Sequence, residues 1–104
     1  MVNALGSEIF KLAQNLWSLN RSITGDGVRT TLNILKSKIP DLVVHEIPSG
    51  TKVFDWTVPD EWNVKQAYIL DPDGNKICDF SKNNLHLVGY SIAIDCEISL
   101  DQLQ

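Results

Sequence analysis

A change in hydrophobic spacing at Pro40 is the feature that most constrains the fold. Before this proline, apolar residues recur at helical intervals in two runs: Leu5, Ile9, Leu12 and Leu16, then Val28, Leu32, Leu35 and Ile39. Intervals of three and four residues place such side chains on one face of a helix. Pro40 ends the second run because the residue before a proline avoids the helical region. The spacing therefore predicts two amphipathic helices.

A polar loop, LNRSITGDG, separates the two predicted helices. Gly25 and Gly27 permit a positive φ there, and Thr24 or Asp26 is expected to cap the second helix. The GDG sequence lacks the lysine of a phosphate-binding loop and follows a helix, so an interhelical turn is the better interpretation.

After the proline, short β-branched segments alternate with turns. Residues 42–47 and 51–56 are expected to be strands, and residues 67–80 a hairpin around the DPDG turn. Residues 85–94 are predicted to form a long final strand, and Ser99 and Gln102 have capping-box spacing. The expected class is α+β: two N-terminal amphipathic helices followed by a β-rich half, built as a small antiparallel sheet or a sandwich.

Composition narrows the class of protein. The 104 residues allow one domain at most, and 43% hydrophobic residues are ordinary for a globular chain. A net charge of −4 with scattered basic residues disfavours nucleic acid as a partner. The apolar runs are too short to span a membrane and the start lacks a secretory leader, so a cytoplasmic location is expected. Two cysteines without a CxxC motif predict buried free thiols.

Catalytic and metal-binding motifs are not recognisable in this sequence. His45 and His86 each lie in a predicted strand, without a second histidine or a carboxylate pair at ligand spacing. Serine and cysteine nucleophile motifs are missing as well. No catalytic residue and no metal ligand is therefore assigned.

The stretch FDWTVPDEW and the nearby arginine of the loop are the candidates for binding. Trp56 and Trp62 offer stacking surfaces, and acids such as Asp55 can accept hydrogen bonds from hydroxyl or ammonium groups. Packing of the two tryptophans across a small β domain is an equally good interpretation. Arg21 can clamp a carboxylate, although pinning the loop is the favoured role.

Three blocks carry a resemblance to a known family: NRSITGDGVR, PSGTKVFDWTVPDEW and NNLHLVGYS. In this order and spacing, the chain resembles the N-terminal part of bacterial aminopeptidase-like proteins that are labelled polysaccharide-biosynthesis proteins. The resemblance implies that residues 1–50 begin a zinc-aminopeptidase-like domain. Residues 51–104 would then belong to an inserted, incomplete β domain. The metal ligands of the family would lie outside this sequence, so zinc is implied for the complete protein and catalysis by this chain alone is not expected.

The implied role is that of a portion of a zinc hydrolase whose β half shapes the substrate cleft. Asp55, Trp56 and Trp62 are the candidate residues for that role or for a structural junction, with Arg21 a weaker one. Expected partners are the remainder of the aminopeptidase-like domain and a peptide or saccharide ligand. The alternative is a small non-catalytic binding module for a saccharide or a protein partner. A third possibility is a structural half-domain, marked by an exposed apolar face on the two helices.

Overall fold

The computed structural model describes residues 4–104, which contain three α-helices and four short strands. The helices are α1 (Ala4–Trp17), α2 (Asp26–Lys38) and α3 (Leu100–Leu103), and a 3₁₀ turn spans Asn84–His86. The strands are β1 (Lys52–Val53), β2 (Trp56–Thr57), β3 (Ile69–Leu70) and β4 (Lys76–Ile77). The α+β class is therefore confirmed.

Helix α2 ends where the sequence predicts. Its last residue is Lys38, and the Ile39 N–H donates to the Leu35 carbonyl at 2.8 Å before Pro40. Asp26 in the first turn and the lysines at the other end complement the helix dipole. Position and length thus agree with the hydrophobic spacing.

Both sheets are two-stranded antiparallel hairpins. The prediction of one strand over residues 51–56 is wrong, because the chain turns at residues 54–55 and pairs back on itself. Lys52 pairs with Thr57 in the β1–β2 hairpin, and Ile69 pairs with Ile77 in the β3–β4 hairpin. In the turn of the second hairpin, the Asp71 carboxylate accepts hydrogen bonds from the Asn75 N–H at 2.8 Å and from the Asp73 N–H at 3.0 Å. The DPDG hairpin prediction is confirmed, whereas a sandwich does not form within residues 4–104.

Two predicted strands are not paired within the described chain. Residues 42–47 pair with no other strand, and residues 85–94 contain the 3₁₀ turn instead of a continuous strand. The Asn83 side chain accepts a hydrogen bond from the Leu85 N–H at 3.0 Å, which favours the turn. Tyr90, with φ of 63°, then leaves the extended region. The 3₁₀ turn and the positive φ of Tyr90 interrupt the extended backbone, so the prediction of one long strand is wrong.

Helix α3 begins with the predicted capping box. The Ser99 hydroxyl accepts from the Gln102 N–H at 3.3 Å, and the Gln102 side chain accepts from the Ser99 N–H at 2.9 Å. Both free amides at this helix start are therefore satisfied.

Very little of the described chain is buried. Val58 is the buried hydrophobic residue, and neither α1 nor α2 contains a buried side chain. Cys78 and Cys96 are free but exposed, so the prediction of buried thiols is wrong. The accessible surface is 9264 Å², against about 5,800 Å² for a compact protein of this mass. The radius of gyration is 18.5 Å, against about 13 Å for a compact domain of this length. The helices therefore leave their apolar side chains on the surface, and their amphipathic packing stays a prediction.

Candidate functional site

Trp62 lies where three distant segments meet. Its ring stacks on Tyr90 with 5.8 Å between centroids and 27° between planes. Its indole Nε1–H donates to the Ser91 carbonyl at 2.9 Å. A half-buried tryptophan needs both an apolar contact and a partner for its N–H, so the stacking contact and the hydrogen bond together fix the ring. We call Trp62 and the residues that contact it or cap the nearby helix the Trp62 cluster: Ser22, Thr24, Asp26, Asp60, Trp62, Asn63, Tyr90 and Ser91.

The loop between α1 and α2 supplies two hydroxyl groups to this cluster. The Ser22 hydroxyl hydrogen-bonds the Thr24 carbonyl and lies 3.2 Å from the Trp62 carbonyl oxygen. The Thr24 hydroxyl donates to the Asp60 carbonyl at 3.2 Å and lies 3.1 Å from the Tyr90 hydroxyl. Since Thr24 has one hydroxyl proton, Tyr90 is the donor in the second bond. The loop is thereby tied to both other segments.

The start of α2 is capped from a distant part of the chain. The Asn63 side-chain oxygen accepts a hydrogen bond from the Asp26 N–H at 2.8 Å. The N-cap residue is Gly25, which has no side chain to offer, so the prediction of Thr24 or Asp26 as the cap is wrong. The Thr24 hydroxyl is unavailable for capping because it bonds Asp60 and Tyr90.

Both glycines of this loop are required by close contacts. Gly25 has φ of 134°, and a Cβ there would lie 2.8 Å from both the Asn63 side-chain oxygen and the Trp62 carbonyl. A Cβ on Gly27 would lie 1.8 Å from the Asn20 carbonyl oxygen. Any larger residue would therefore push the loop away from the cluster.

A charged group lies at the exposed edge of the cluster. The Arg29 guanidinium makes a two-pronged contact with Glu61, with one bond at 2.9 Å, and it also bonds Asp26 at 2.9 Å. Hydrogen bonding to Arg29 lowers the pKa of Glu61, and the bonds to Glu61 and Asp26 raise the pKa of Arg29. The ion pair joins α2 to the residue before Trp62.

The four residues predicted from sequence lie in two places. Trp62 is in the cluster, and Arg21 donates to the Leu16 carbonyl at 2.6 Å, which pins the loop to α1. Asp55 and Trp56 are exposed in the β1–β2 hairpin. The structure thus separates the halves of FDWTVPDEW: the hairpin holds one tryptophan and the cluster the other.

An open groove of about 330 Å³ runs beside the cluster. It is lined by Trp17, Leu19, Asn20, Arg21, Trp62, Asn84, Leu85, Leu87 and Gly89. Trp62 and Arg21 share this groove, whereas Asp55 and Trp56 do not line it. Aromatic rings beside amide and guanidinium donors suit a ligand with an apolar body and polar or anionic groups.

Four residues in the cluster or at its edge were missed by the sequence reasoning: Arg29, Asn63, Tyr90 and Ser91. All except Asn63 lie inside the three blocks that carry the family resemblance, and Asn63 directly follows the second block. The blocks were a signal for these residues, but spacing along the chain does not show which blocks touch in space.

A zinc ion does not fit the side chains described here. Within residues 4–104, no three His, Cys, Asp or Glu side chains are close enough together to hold a metal ion. Structural and catalytic zinc sites both need at least three such ligands. No helix in the same range is both long and apolar enough to cross a membrane.

Comparison with known proteins places the chain in a family. It is 50% identical over 99 residues to a Clostridium acetobutylicum protein whose name assigns it, provisionally, to polysaccharide biosynthesis with an aminopeptidase-like domain. A crystal structure from the same organism, provisionally named a peptidase, superimposes on 95% of the chain with a TM-score of 0.90 and 50% identity.

The chain spans only 23% of the length of each of these proteins. The resemblance to aminopeptidase-like proteins is thereby confirmed, and this chain matches a part of such a protein. The sequence profile of one family also matches residues 10–100. The chain belongs to that family, described as a domain of unknown function, DUF4910.

Proposed function

We propose that this chain is a non-catalytic, N-terminal portion of an aminopeptidase-like zinc hydrolase and forms one wall of its substrate cleft. The observation that carries the proposal is the groove beside the Trp62 cluster, in which Trp62 and Arg21 lie together. The zinc ligands and the zinc chemistry would come from residues outside this chain, since the described side chains offer no such ligand set.

A cleft wall needs fixed side chains, and the Trp62 cluster supports the proposal in this respect. Its long-range hydrogen bonds join residues that are 29 to 66 positions apart in sequence. The groove surface on Trp62 is held on one side by Ser91 and on the other by the interhelical loop. A ligand would therefore meet a preorganised surface, which lowers the entropic cost of binding.

The β half contributes to the same wall from a second position. Asn84, Leu85, Leu87 and Gly89 line the groove, and Asn84 donates to the Ser18 carbonyl at 3.3 Å, which links this stretch to the end of α1. In our proposal, residues 1–50 begin the peptidase-like domain and residues 51–104 belong to its inserted domain. The cluster would then be the junction between the two.

The test uses a chimera in which this chain replaces the matching 99-residue segment of the Clostridium acetobutylicum protein. Zinc content and hydrolysis of a series of aminoacyl-4-nitroanilides are measured on the same preparation. The informative variant is Leu85→Ala, because Leu85 lines the groove and is 84% exposed. Val88→Ala is the matched control: it is 79% exposed, three residues away, and does not line the groove.

We expect Leu85→Ala to change the ratio of kcat/KM between large and small substrates by about 3- to 10-fold, the value of one or two apolar contacts. Val88→Ala should leave that ratio unchanged, and both variants should keep their zinc. Equal effects of the two variants would show that the groove is not part of the substrate cleft. If Trp56→Ala alone shifts the ratio, the hairpin forms the wall. A chimera that binds zinc without hydrolysing any aminoacyl substrate would contradict the peptidase assignment.

A further inference from the structure

Residues 92–98 combine large apolar side chains at alternate positions with exposure to solvent. One set of alternate positions is apolar, Ile92, Ile94, Cys96 and Ile98, and the other set is Ala93, Asp95 and Glu97. The exposed fractions of the three isoleucines are 81%, 73% and 49%. Period-two alternation is typical of a strand with one buried face. Here the face that the pattern marks for burial is open to solvent.

The backbone of this segment is also unpaired. Within residues 4–104, no hydrogen bond reaches an N–H or a carbonyl group of residues 92–98. The segment contains no helix, turn or bend. Its two ends are fixed, because Ser91 accepts the Trp62 indole bond and Ser99 begins the α3 capping box. It is therefore a segment held at both ends whose backbone groups are free to pair.

We propose that residues 92–98 are one strand of a sheet completed by a strand from the rest of the longer aminopeptidase-like protein. The isoleucine face would pack on an apolar layer of that same part. This inference rests on the longer protein of the proposed function, but not on its peptidase activity or on the groove. Addition of a strand to an exposed edge satisfies the backbone groups, and alternate side chains fill the partner's pockets.

Two observations identify the rest of the longer protein as the occupant. The chain superimposes with a TM-score of 0.90 on a crystal structure of a 50% identical chain, of which the matching part is only 23%. The described chain also exposes about 3,400 Å² more surface than a compact protein of its mass. That excess is as large as the area buried at an obligate interface.

A second copy of this chain is a poorer occupant. Antiparallel self-pairing of residues 92–98 would bring Asp95 and Glu97 close to the same residues of the other copy. Like charges placed across from each other destabilise a strand pair. The net charge of −4 adds to the repulsion.

Hydrogen exchange measured by mass spectrometry tests the proposal on two proteins that already exist. In the Clostridium acetobutylicum protein, amides at the positions matching 92–98 should exchange at least about 100-fold more slowly than unstructured peptides do. In the 104-residue chain, the same amides should exchange at the unprotected rate. Fast exchange of these amides in the longer protein overturns the proposal, whether or not the isolated chain folds and whatever the longer protein hydrolyses.

A matched pair of variants in the chimera tests the orientation of the strand. Ile94→Ser removes an apolar side chain from the face proposed to be buried, whereas Asp95→Ser changes the adjacent residue on the other face. We expect about a 10-fold or greater acceleration of exchange over residues 92–98 for Ile94→Ser and less than about 2-fold for Asp95→Ser. The reverse order would contradict the proposed face. Concentration-dependent protection in the isolated chain would identify a second copy as the occupant and overturn the proposal.

Discussion

Separation of this chain from the longer protein should abolish cooperative folding. The described residues expose 9264 Å², about 3,400 Å² more than a compact protein of equal mass. If somewhat over half of that surface is apolar, its transfer from water corresponds to roughly 50 kcal/mol as an upper estimate. Whole domains are stable by only about 5–15 kcal/mol. The free energy that burial of this surface would supply is therefore several times larger than the free energy of unfolding of a whole domain.

Small-angle scattering and calorimetry on the 104-residue chain check this prediction together. A compact domain of this length has a radius of gyration of about 13 Å, and an unfolded chain about 32 Å. We expect a value at or above the 18.5 Å of the structure, and a heating curve without a sharp heat absorption peak. In the chimera, the same residues should unfold within a cooperative transition.

The outcome that refutes this reasoning is a compact isolated chain. A radius of gyration near about 13 Å with a transition enthalpy of about 60–80 kcal/mol would show that the chain folds independently. The exposed helices and the unpaired segment 92–98 would then rearrange on each other, and no partner would be needed to cover them. Self-association must be checked by dilution, since a dimer could also hide apolar surface.

The other predictions concern the Trp62 cluster in the chimera. Trp62→Phe keeps the ring but loses the indole bond, so local opening should become easier by about 1 kcal/mol, while Trp56→Phe should change nothing; hydrogen exchange around α2 measures both. Asn63→Ala should lower the free energy of opening α2 by about 1 kcal/mol, because the Asp26 N–H loses its cap. The control Asn75→Ala removes a side-chain bond to Asp71 in the other hairpin and should leave exchange in α2 unchanged. Glu61 has a lowered pKa, so its pairing with Arg29 is complete above the ordinary value of 4.5 and is lost as pH falls through the folded value; an NMR titration midpoint at or above 4.5 would contradict it.

The helices were predictable because their signals are local. Apolar spacing gave the course of α2, and Pro40 gave its end within two residues. The same holds for the DPDG hairpin and the capping box at Ser99, where side chains bond the backbone two to four positions away. Each of these elements depends on neighbours in sequence, which a single sequence displays directly.

The strands and the helix cap were not predictable because their partners are distant. Residues 92–98 do alternate as a strand should, but pairing depends on a second segment that this chain does not contain among residues 4–104. The cap of α2 comes from Asn63, 37 positions away from Asp26. Only the arrival of residues 60–63 beside the loop makes that bond possible. Nothing in the local sequence around α2 distinguishes this cap from the Thr24 or Asp26 alternatives.

The candidate site was predictable as a set of sequence blocks, but not as a geometry. All three blocks contribute to the Trp62 cluster, through Thr24, Trp62 and Tyr90 respectively. Their order along the chain does not reveal that a threonine hydroxyl would join the other two blocks. Nor does it reveal that the second block would divide after the β1–β2 hairpin.

That division changes the meaning of FDWTVPDEW. Its second half is occupied by structural contacts: Glu61 pairs with Arg29, and Trp62 bonds Ser91. Its first half has no such contacts and includes Phe54, fully exposed with φ of 53° at the hairpin tip.

A strained conformation is retained where the surroundings or a function require it. A non-glycine residue with positive φ at an exposed tip, such as Phe54, costs about 1 kcal/mol or more. Phe54→Gly should therefore stabilise the hairpin locally in the isolated chain. If the tip contacts the rest of the longer protein, the same change should destabilise the chimera, so opposite signs in the two settings would mark the tip as a contact and equal signs would mark it as free.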